Sequence, residues 1–291
     1  MFVTTAATIV TYNRPDDLRV CLNALLALST PVDEVIVVDN ASTDETPEIL
    51  ASEYPELTIH RTQANLGGAG GFALAIELAI ASGHSHAWLM DDDAVPALDS
   101  YDALYRLISD RGIQPPPAFL ASRVVQPDGA DLVSHMPTPT TDPQGAALAA
   151  SYGCVQVEYA SFVGVLVDLS YARKTYLPVA EFFLMVDDLE YTSRLGMMSP
   201  GWLVPSSCVA HPDKKVEDKY NPRWWIGVRN SLWIARDRRL GSPFVRRGRV
   251  RGTVRPIVSS AIRSPSKIQY CKTLWSILVA VVRNPPNLRR P

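Results

Sequence analysis

The 291-residue chain is predicted to be an α/β protein with a mostly parallel central sheet, and three observations predict it. Short apolar runs alternate with helix-period segments through its first third. Polar residues suited to ligands fall where those runs stop, at Asp39, Asn65 and Asp91 to Asp93, the strand ends at which open parallel sheets bind ligands. Apolar residues make up 47% of the chain, yet no run approaches the roughly 20 residues of a bilayer span, so this material is available for a large core.

The elements follow in order. TIVTY (8–12) reads as the first strand, and PDDLRVCLNALLAL (15–28) as a helix with Pro15, Asp16 and Asp17 in its first turn. EVIVVD (34–39) is the second strand, with Asn40 and Ser42 marking its exit. LTIH (57–60) is the third, followed by a glycine-rich turn, the helical pattern GFALAIELAIASG (71–83) and the strand HAWLM (86–90). Prolines 115–117 interrupt the rhythm, and PDGADLVSHMPTPTTDPQG (127–145) reads as a long surface loop bordering a ligand site. VQVEYASFVGVLVD (155–168) returns to strand character, EFFLMVDDLEYTSRLG (181–196) reads as a strand entering a helix, and GWLVPSSCVAH (201–211) as a further strand. Beyond about Tyr220 aromatic and arginine content rises, which predicts a body over 1–222 and a helical extension over 223–291 packed on it.

Charge divides at the same place. From Arg223 onward 16 Lys or Arg face one acid, Asp237, while residues 1–222 hold 12 basic and 29 acidic residues. The acidic body opposes a long phosphate track, so no nucleic acid partner is expected. Cys21, Cys154, Cys208 and Cys271 lack metal-ligand spacing and read as ordinary thiols, and the N-terminus lacks a basic-then-apolar leader. A cytoplasmic location is expected.

Four stretches carry candidate chemistry. Asp91, Asp92 and Asp93 repel one another and call for a cation or hydrogen-bond donors. Asp91 and Asp93 can share Mn2+ or Mg2+, which would in turn bridge a diphosphate; His211 either adds a nitrogen ligand or is a surface histidine. NLGGAGG (65–71) departs from a dinucleotide fingerprint in following the third strand, and reads as a tight turn offering helix-start amides to phosphate, or as a packing turn. In VDDLEY, Asp188 could be a general base with Asp187 and Glu190 beside it, although acids suit a helix entrance electrostatically and Glu190 could simply cap the turn. In WWIGVRN, Trp224 and Trp225 stack on a sugar or pack the extension, and Arg229 neutralises a leaving phosphate or sits at the surface.

Taken together, TYNRP, VVDNASTD, RTQANLGGAGG, MDDD, VDDLEY and VAHPD resemble the GT-A, family 2 glycosyltransferases over about residues 5–230. They look most like the bacterial galactofuranosyltransferases that start or extend cell-wall galactan; rhamnosyltransferases of the family share much of the pattern. The resemblance implies a GT-A (nucleotide-diphospho-sugar transferase) fold with a C-terminal helical extension, and inverting, metal-dependent transfer from UDP-galactofuranose. It implies that Thr11, Asn13 and Arg14 border the nucleotide, Asp39 meets the uracil, and Asn65 with Gly68 approaches the ribose or diphosphate. Asp91, Asp93 and His211 would hold Mn2+ or Mg2+, Asp92 would touch the donor sugar, and Arg229 the leaving phosphate. Asp188 would be the base, with Asp187, Glu190, Trp224 and Trp225 placing the acceptor.

The chain is short beside the polymerising members, and no tryptophan precedes its acidic pair. Both features favour the initiating type, which acts on a polyprenyl-diphosphate-linked rhamnosyl glycan in arabinogalactan assembly. YCKTLWSILVAVVRNPPNLRR (270–290) could then rest on an anionic membrane surface, peripheral on the inner face of the plasma membrane. The competing readings are a rhamnosyltransferase using dTDP-rhamnose, a nucleotidyltransferase, whose basic, glycine-rich opening motif is missing, and a non-catalytic sugar-nucleotide-binding or scaffold protein.

Overall fold

Strand β1 (Thr5–Thr11) is buried at every position, because it lies between parallel neighbours and both of its faces are covered. A computed structural model describes residues 3–110, 112–213, 222–249, 252, 267–283 and 286–291. On one side β1 pairs with β2 (Glu34–Asp39) and then β3 (Thr58–Arg61); on the other it pairs with β4 (His86–Asp91). The connecting helices are α1 (Pro15–Leu26), α2 (Thr46–Glu53) and α3 (Gly67–Ala81).

The second half adds β5 (Val95–Pro96), α4 (Ser100–Ser109), β6 (Phe119–Val125), α5 (Pro143–Ser151), β7 (Val155–Val157), β8 (Val165–Asp168), α6 (Leu169–Ala172), α7 (Asp187–Leu195) and β9 (Gly201–Ala210). Among the described residues one sheet runs β3-β2-β1-β4-β8-β6-β9-β5, with β7 beside β9. The long ladders, β1 with β2 and β4, and β6 with β9, are parallel; β8 joins the two blocks antiparallel. The sheet is thus mostly parallel, as its sequence predicts.

Alternate side chains feed opposite faces. Ile9, Val37 and Trp88 pack with Leu18 and Leu22 of α1, while Val10, Val38 and Leu89 pack with Phe72 and Ile76 of α3. A third cluster joins Ala69, Phe182 and Leu189 to Trp233 and Ile234 of α8 (Pro222–Arg236), Val245 of α9 (residues 243–249) and Val281 of α10 (Lys267–Arg283). The C-terminal helices therefore share a core with α3, α7 and the turn at 179–182. The boundary expected at 222 adjoins residues 214–221, which lie outside the described residues. No helix among the described residues is long and apolar enough to cross a membrane.

Two expectations need correction. The segment 181–186 is not a strand: after a 3-10 turn at Ala180–Phe182 the chain makes a loop in which Phe183, Met185 and Val186 all have positive φ. Its apolar run imitates a strand, but its carbonyls bond to side chains of α8 and to the start of α3 instead of to a strand edge. Strand character over 155–168 likewise splits into β7 and β8, separated by a turn ending at Gly164 (φ 76°).

Helix α3 begins at Gly67, inside the glycine run, four residues ahead of the expected start. Gly67 has φ 69°, and a Cβ there would overlap the Phe183 carbonyl; a Cβ at Gly71 would overlap the Val10 side chain. Two of these glycines are thus explained by close packing of α3 on β1 and on the 181–186 loop. Gly67→Ala combines an unfavourable φ with a backbone clash, and we expect it to cost about 2–4 kcal/mol in urea unfolding. A loss below about 0.5 kcal/mol, the scale of an ordinary surface substitution, would contradict this packing.

Candidate active site

Strands β1, β2 and β4 end side by side, and their last residues and the following turns build one wall of a cleft. The Thr11 hydroxyl donates to Asp92 Oδ2 at 2.9 Å, and the Tyr12 amide reaches the same oxygen at 3.4 Å. Arg14 Nη1 donates to Asp92 Oδ1 at 3.3 Å and to Asp93 Oδ2 at 2.9 Å. Burial works against the Arg14 charge, but Asp92 and Asp93 outweigh it and raise its pKa. Part of the compensation that three adjacent acids require therefore comes from Arg14 and Thr11.

Among the described residues, these contacts do not cancel the effect of burial on the acids. Burial, reinforced by Asp93 and Asp92 and only partly offset by His211, pushes the Asp91 carboxyl up to about 7. Burial also lifts Asp92 to about 6, against the pull of Arg14 and Thr11. His211 follows β9, its amide bonded to the Val125 carbonyl at 2.8 Å, and its Nε2 lies 3.1 Å from Asp93 Oδ1. Ligand atoms of Asp91, Asp93 and His211 all lie within 4.8 Å of one another. Two carboxylates and an imidazole grouped this closely fit Mn2+ or Mg2+.

The cleft has two chambers. One, of about 410 Å³, lies over the ends of β1 and β4 against Thr11, Tyr12, Arg14, Asn65, Asp92 and Asp93. The other, of about 630 Å³, is bounded by Tyr159, Phe162, Val186, Asp187, Asp188 and Arg249. Gly68, Asp91, His135, Leu184, Met185 and His211 line both. The candidate cation site thus lies at the junction. Asp187 and Asp188 open helix α7, and Asp188 Oδ1 accepts the Leu189 amide at 2.7 Å. Burial raises the Asp188 pKa in spite of that bond, and raises Asp187 further with the help of Asp188.

Six expected site residues line neither chamber. Asn13 accepts the Thr43 amide at 2.7 Å and bonds Ser42 through its own amide, bracing two loops. Asp39 is buried, accepts the Ser42 amide at 2.9 Å and approaches Arg61 Nε at 3.4 Å. Glu190 is fully buried, paired with Arg194 at 2.8 Å and accepting the Gly241 amide at 2.9 Å; it ties α7 to the extension. Trp224 packs edge-on against Trp225 at 4.5 Å, and Trp225 against Tyr270 at 5.1 Å, so the pair joins α8 to α10. Arg229 donates to the Glu181 and Phe182 carbonyls at 2.7 and 3.1 Å and stacks over Trp233. Many of these partners are distant in sequence, so no local motif announces them.

Other residues enter the cleft with no sequence signal of their own. His135 comes from the long middle loop and stacks obliquely on His211 with ring centres 4.9 Å apart. Asn40 latches the glycine turn, its Nδ2 donating to the Gly67 carbonyl at 2.9 Å, while Asn65 Oδ1 accepts the Gly67 amide at 2.7 Å.

The family model described as Glycosyl transferase family 2 matches residues 7–115. These residues resemble a family 2 glycosyl transferase domain. The match covers one wall of the cleft, from β1 through the acidic triplet; Asp187, Asp188 and His211 lie beyond it. Galactofuranosyltransferase GlfT1 of Mycobacterium tuberculosis is 43% identical over 89 residues, which span 30% of this chain and 29% of that protein. The chain therefore covers less than a third of that relative's length. S. aureus TarS 1-349 in complex with UDP-GlcNAc superposes with a TM-score of 0.63 at 12% identity, covering 98% of this chain and 82% of TarS 1-349. Mannosyltransferase PcManGT of Pyrobaculum calidifontis, in complex with GDP-Man and Mn2+, gives 0.53 at 15% identity, covering 97% and 81%. At such identities the likeness is one of fold, and the fold is GT-A.

Proposed function

We propose that this protein is an inverting, cation-dependent glycosyltransferase that moves galactofuranose from UDP-galactofuranose to a rhamnosyl glycan carried on polyprenyl diphosphate. The observation that carries this reading is the junction of the two chambers at Asp91 and His211, with Asp188 on the far side. A nucleotide diphosphate held over Thr11, Arg14 and Asn65 would point its sugar across that junction. An acceptor in the larger chamber would meet the sugar from the opposite side. The choice of galactofuranose leans on the likeness to the GlfT1 relatives over 89 residues and on the motif resemblance read from the sequence.

In this mechanism the acceptor hydroxyl attacks the anomeric carbon, its proton passes to a carboxylate oxygen of Asp188, and the bond from that carbon to the diphosphate oxygen breaks to release UDP. Burial makes Asp188 a stronger base than an exposed aspartate, which suits proton removal near neutral pH. Arg14 holds Asp92 and Asp93 in place and adds positive charge beside the donor. A divalent ion on Asp91, Asp93 and His211 would stabilise charge on the departing diphosphate. The body over 1–222 supplies this chemistry, and the basic extension over 223–291 supports it at the anionic inner face of the plasma membrane.

The test is transfer by the purified protein to a short lipid-linked rhamnosyl acceptor, with UDP-galactofuranose and dTDP-rhamnose in parallel reactions and the products weighed by mass spectrometry. A galactofuranosyl increment that needs both acceptor and Mn2+ or Mg2+ is the expected result. Transfer from dTDP-rhamnose alone would overturn the donor, and transfer from neither would overturn the enzymatic reading.

A further inference from the structure

The partition between the two chambers is a strained loop. Among the described residues, five non-glycine positions have positive φ, and three of them, Phe183 (62°), Met185 (72°) and Val186 (62°), fall here. For a β-branched residue such as Val186 this is a genuine outlier. Phe183 is the centre of a γ-turn, with φ 62° and ψ −58°, closed by the Leu184 amide donating to the Phe182 carbonyl at 2.7 Å. Val186 precedes Asp187 as the N-cap of α7 and offers no side-chain cap, so the turn that carries Asp188 is not fixed from within its own helix. Strain of this kind persists only where the surroundings impose it.

The surroundings are specific. Asn230 of α8 is fully buried, and its Nδ2 lies 3.0 Å from the Phe182 carbonyl, 2.9 Å from that of Leu184 and 3.0 Å from that of Met185. Two amide hydrogens are shared among three acceptors. Arg229 donates to Asn230 Oδ1 from Nε at 3.1 Å and from Nη2 at 3.0 Å, which turns the amide nitrogen toward the loop. From the other side the Ala69 amide takes the Phe183 carbonyl at 3.1 Å.

We infer that Asn230, oriented by Arg229, is a positioning residue: it holds Leu184 and Met185 as the wall between the chambers and sets the direction in which Asp188 leaves the start of α7. The inference rests on the transferase reading for the reaction it affects, while the clamp on the loop is independent of it. A packing residue would need only volume at position 230. This clamp needs an N–H donor, which aspartate at the same size lacks.

The test combines kinetics with amide hydrogen exchange on Asn230→Ala, Asn230→Asp and the double variant Asn230→Ala with Val186→Gly. Both single variants should lower kcat for transfer by roughly 10- to 100-fold, the scale of a 1 Å misplacement. UDP affinity in the presence of Mn2+ should stay within about 3-fold of the wild type, because shared wall residues and not the nucleotide contacts move. Exchange should quicken over 182–189 while β1 and β4 keep wild-type protection. Glycine accepts positive φ without penalty, so the double variant should recover at least about 5-fold of the lost kcat. If either position-230 variant fails to fold, Arg229→Lys, which loses both bonds to Asn230 Oδ1 together with the Arg229 bonds to the Glu181 and Phe182 carbonyls, should give at least the same local exchange and kcat loss. Unchanged kcat and exchange in the folded variants would overturn the inference, as would activity lost only in step with global unfolding and not recovered by glycine. Quickened exchange over 182–189, reversed by glycine in a protein that transfers no sugar, would support the clamp and sink the proposed function.

Discussion

Asp188→Asn is expected to reduce kcat for sugar transfer by roughly 10²- to 10⁴-fold, the range for removing a general base, while UDP binding stays near wild type. The division of the cleft makes this split specific. Asp188 lines the larger chamber, whereas Thr11, Arg14, Asn65 and Asp92, the proposed nucleotide contacts, line the smaller one. Asparagine keeps the size of aspartate and an oxygen to accept the Leu189 amide, now made at 2.7 Å, so helix α7 should still start at the same place. The pH profile supplies a second readout. A base must be ionised to act, and burial raises its pKa, so the acid limb of the wild-type profile should lie above the ordinary aspartate range of about 4. An Asp188→Asn protein within about 10-fold of wild type would remove Asp188 from the chemistry.

Loss of the cation should be comparably severe. Chelation, or Asp91→Asn, is expected to cut transfer by at least about 10²-fold, because charge on the departing diphosphate then lacks its main stabiliser. His211→Ala should cost less, since two carboxylates remain. Proton competition gives the direction with pH. With Asp91 at about 7 in the cation-free protein, a divalent ion must displace a proton below that pH, so apparent Mn2+ affinity should fall as pH drops from 7.5 to 5.5. Stability runs the other way in the cation-free state. A carboxyl whose pKa is raised on folding stabilises fully below its unfolded value of about 4, and that contribution is lost as pH rises toward 7. The melting shift produced by Mn2+ should therefore grow between pH 5.5 and 7.5. An equal shift at both ends would mean that the ion does not bind through Asp91.

The central strands β1, β2 and β4 were legible because they are short apolar runs buried on both faces: EVIVVD occupies the predicted residues without adjustment. The acids at strand and helix ends were legible for a related reason, since topology alone brings the end of β4 and the turn after it beside the end of β1. What stayed hidden depends on partners distant in sequence. Nothing near Arg14 announces that it bonds Asp92 and Asp93, and the FFLMV run carries the apolarity of a strand while its carbonyls are taken by Asn230 and Ala69. Glu190 reads like a partner of Asp188 because both open one helix, yet helical geometry turns Glu190 toward Arg194, one turn on. Trp224 and Trp225 were legible as aromatics in want of a surface; that the surface is α10 was not.

The most direct single measurement is the anomeric configuration of the product formed from UDP-galactofuranose and the lipid-linked rhamnosyl acceptor, read by NMR on material from the purified protein with Mn2+. One displacement across the junction between the chambers predicts a galactofuranosyl product of configuration opposite to the donor's. A product that retains the donor's configuration, or no galactofuranosyl product, would contradict it.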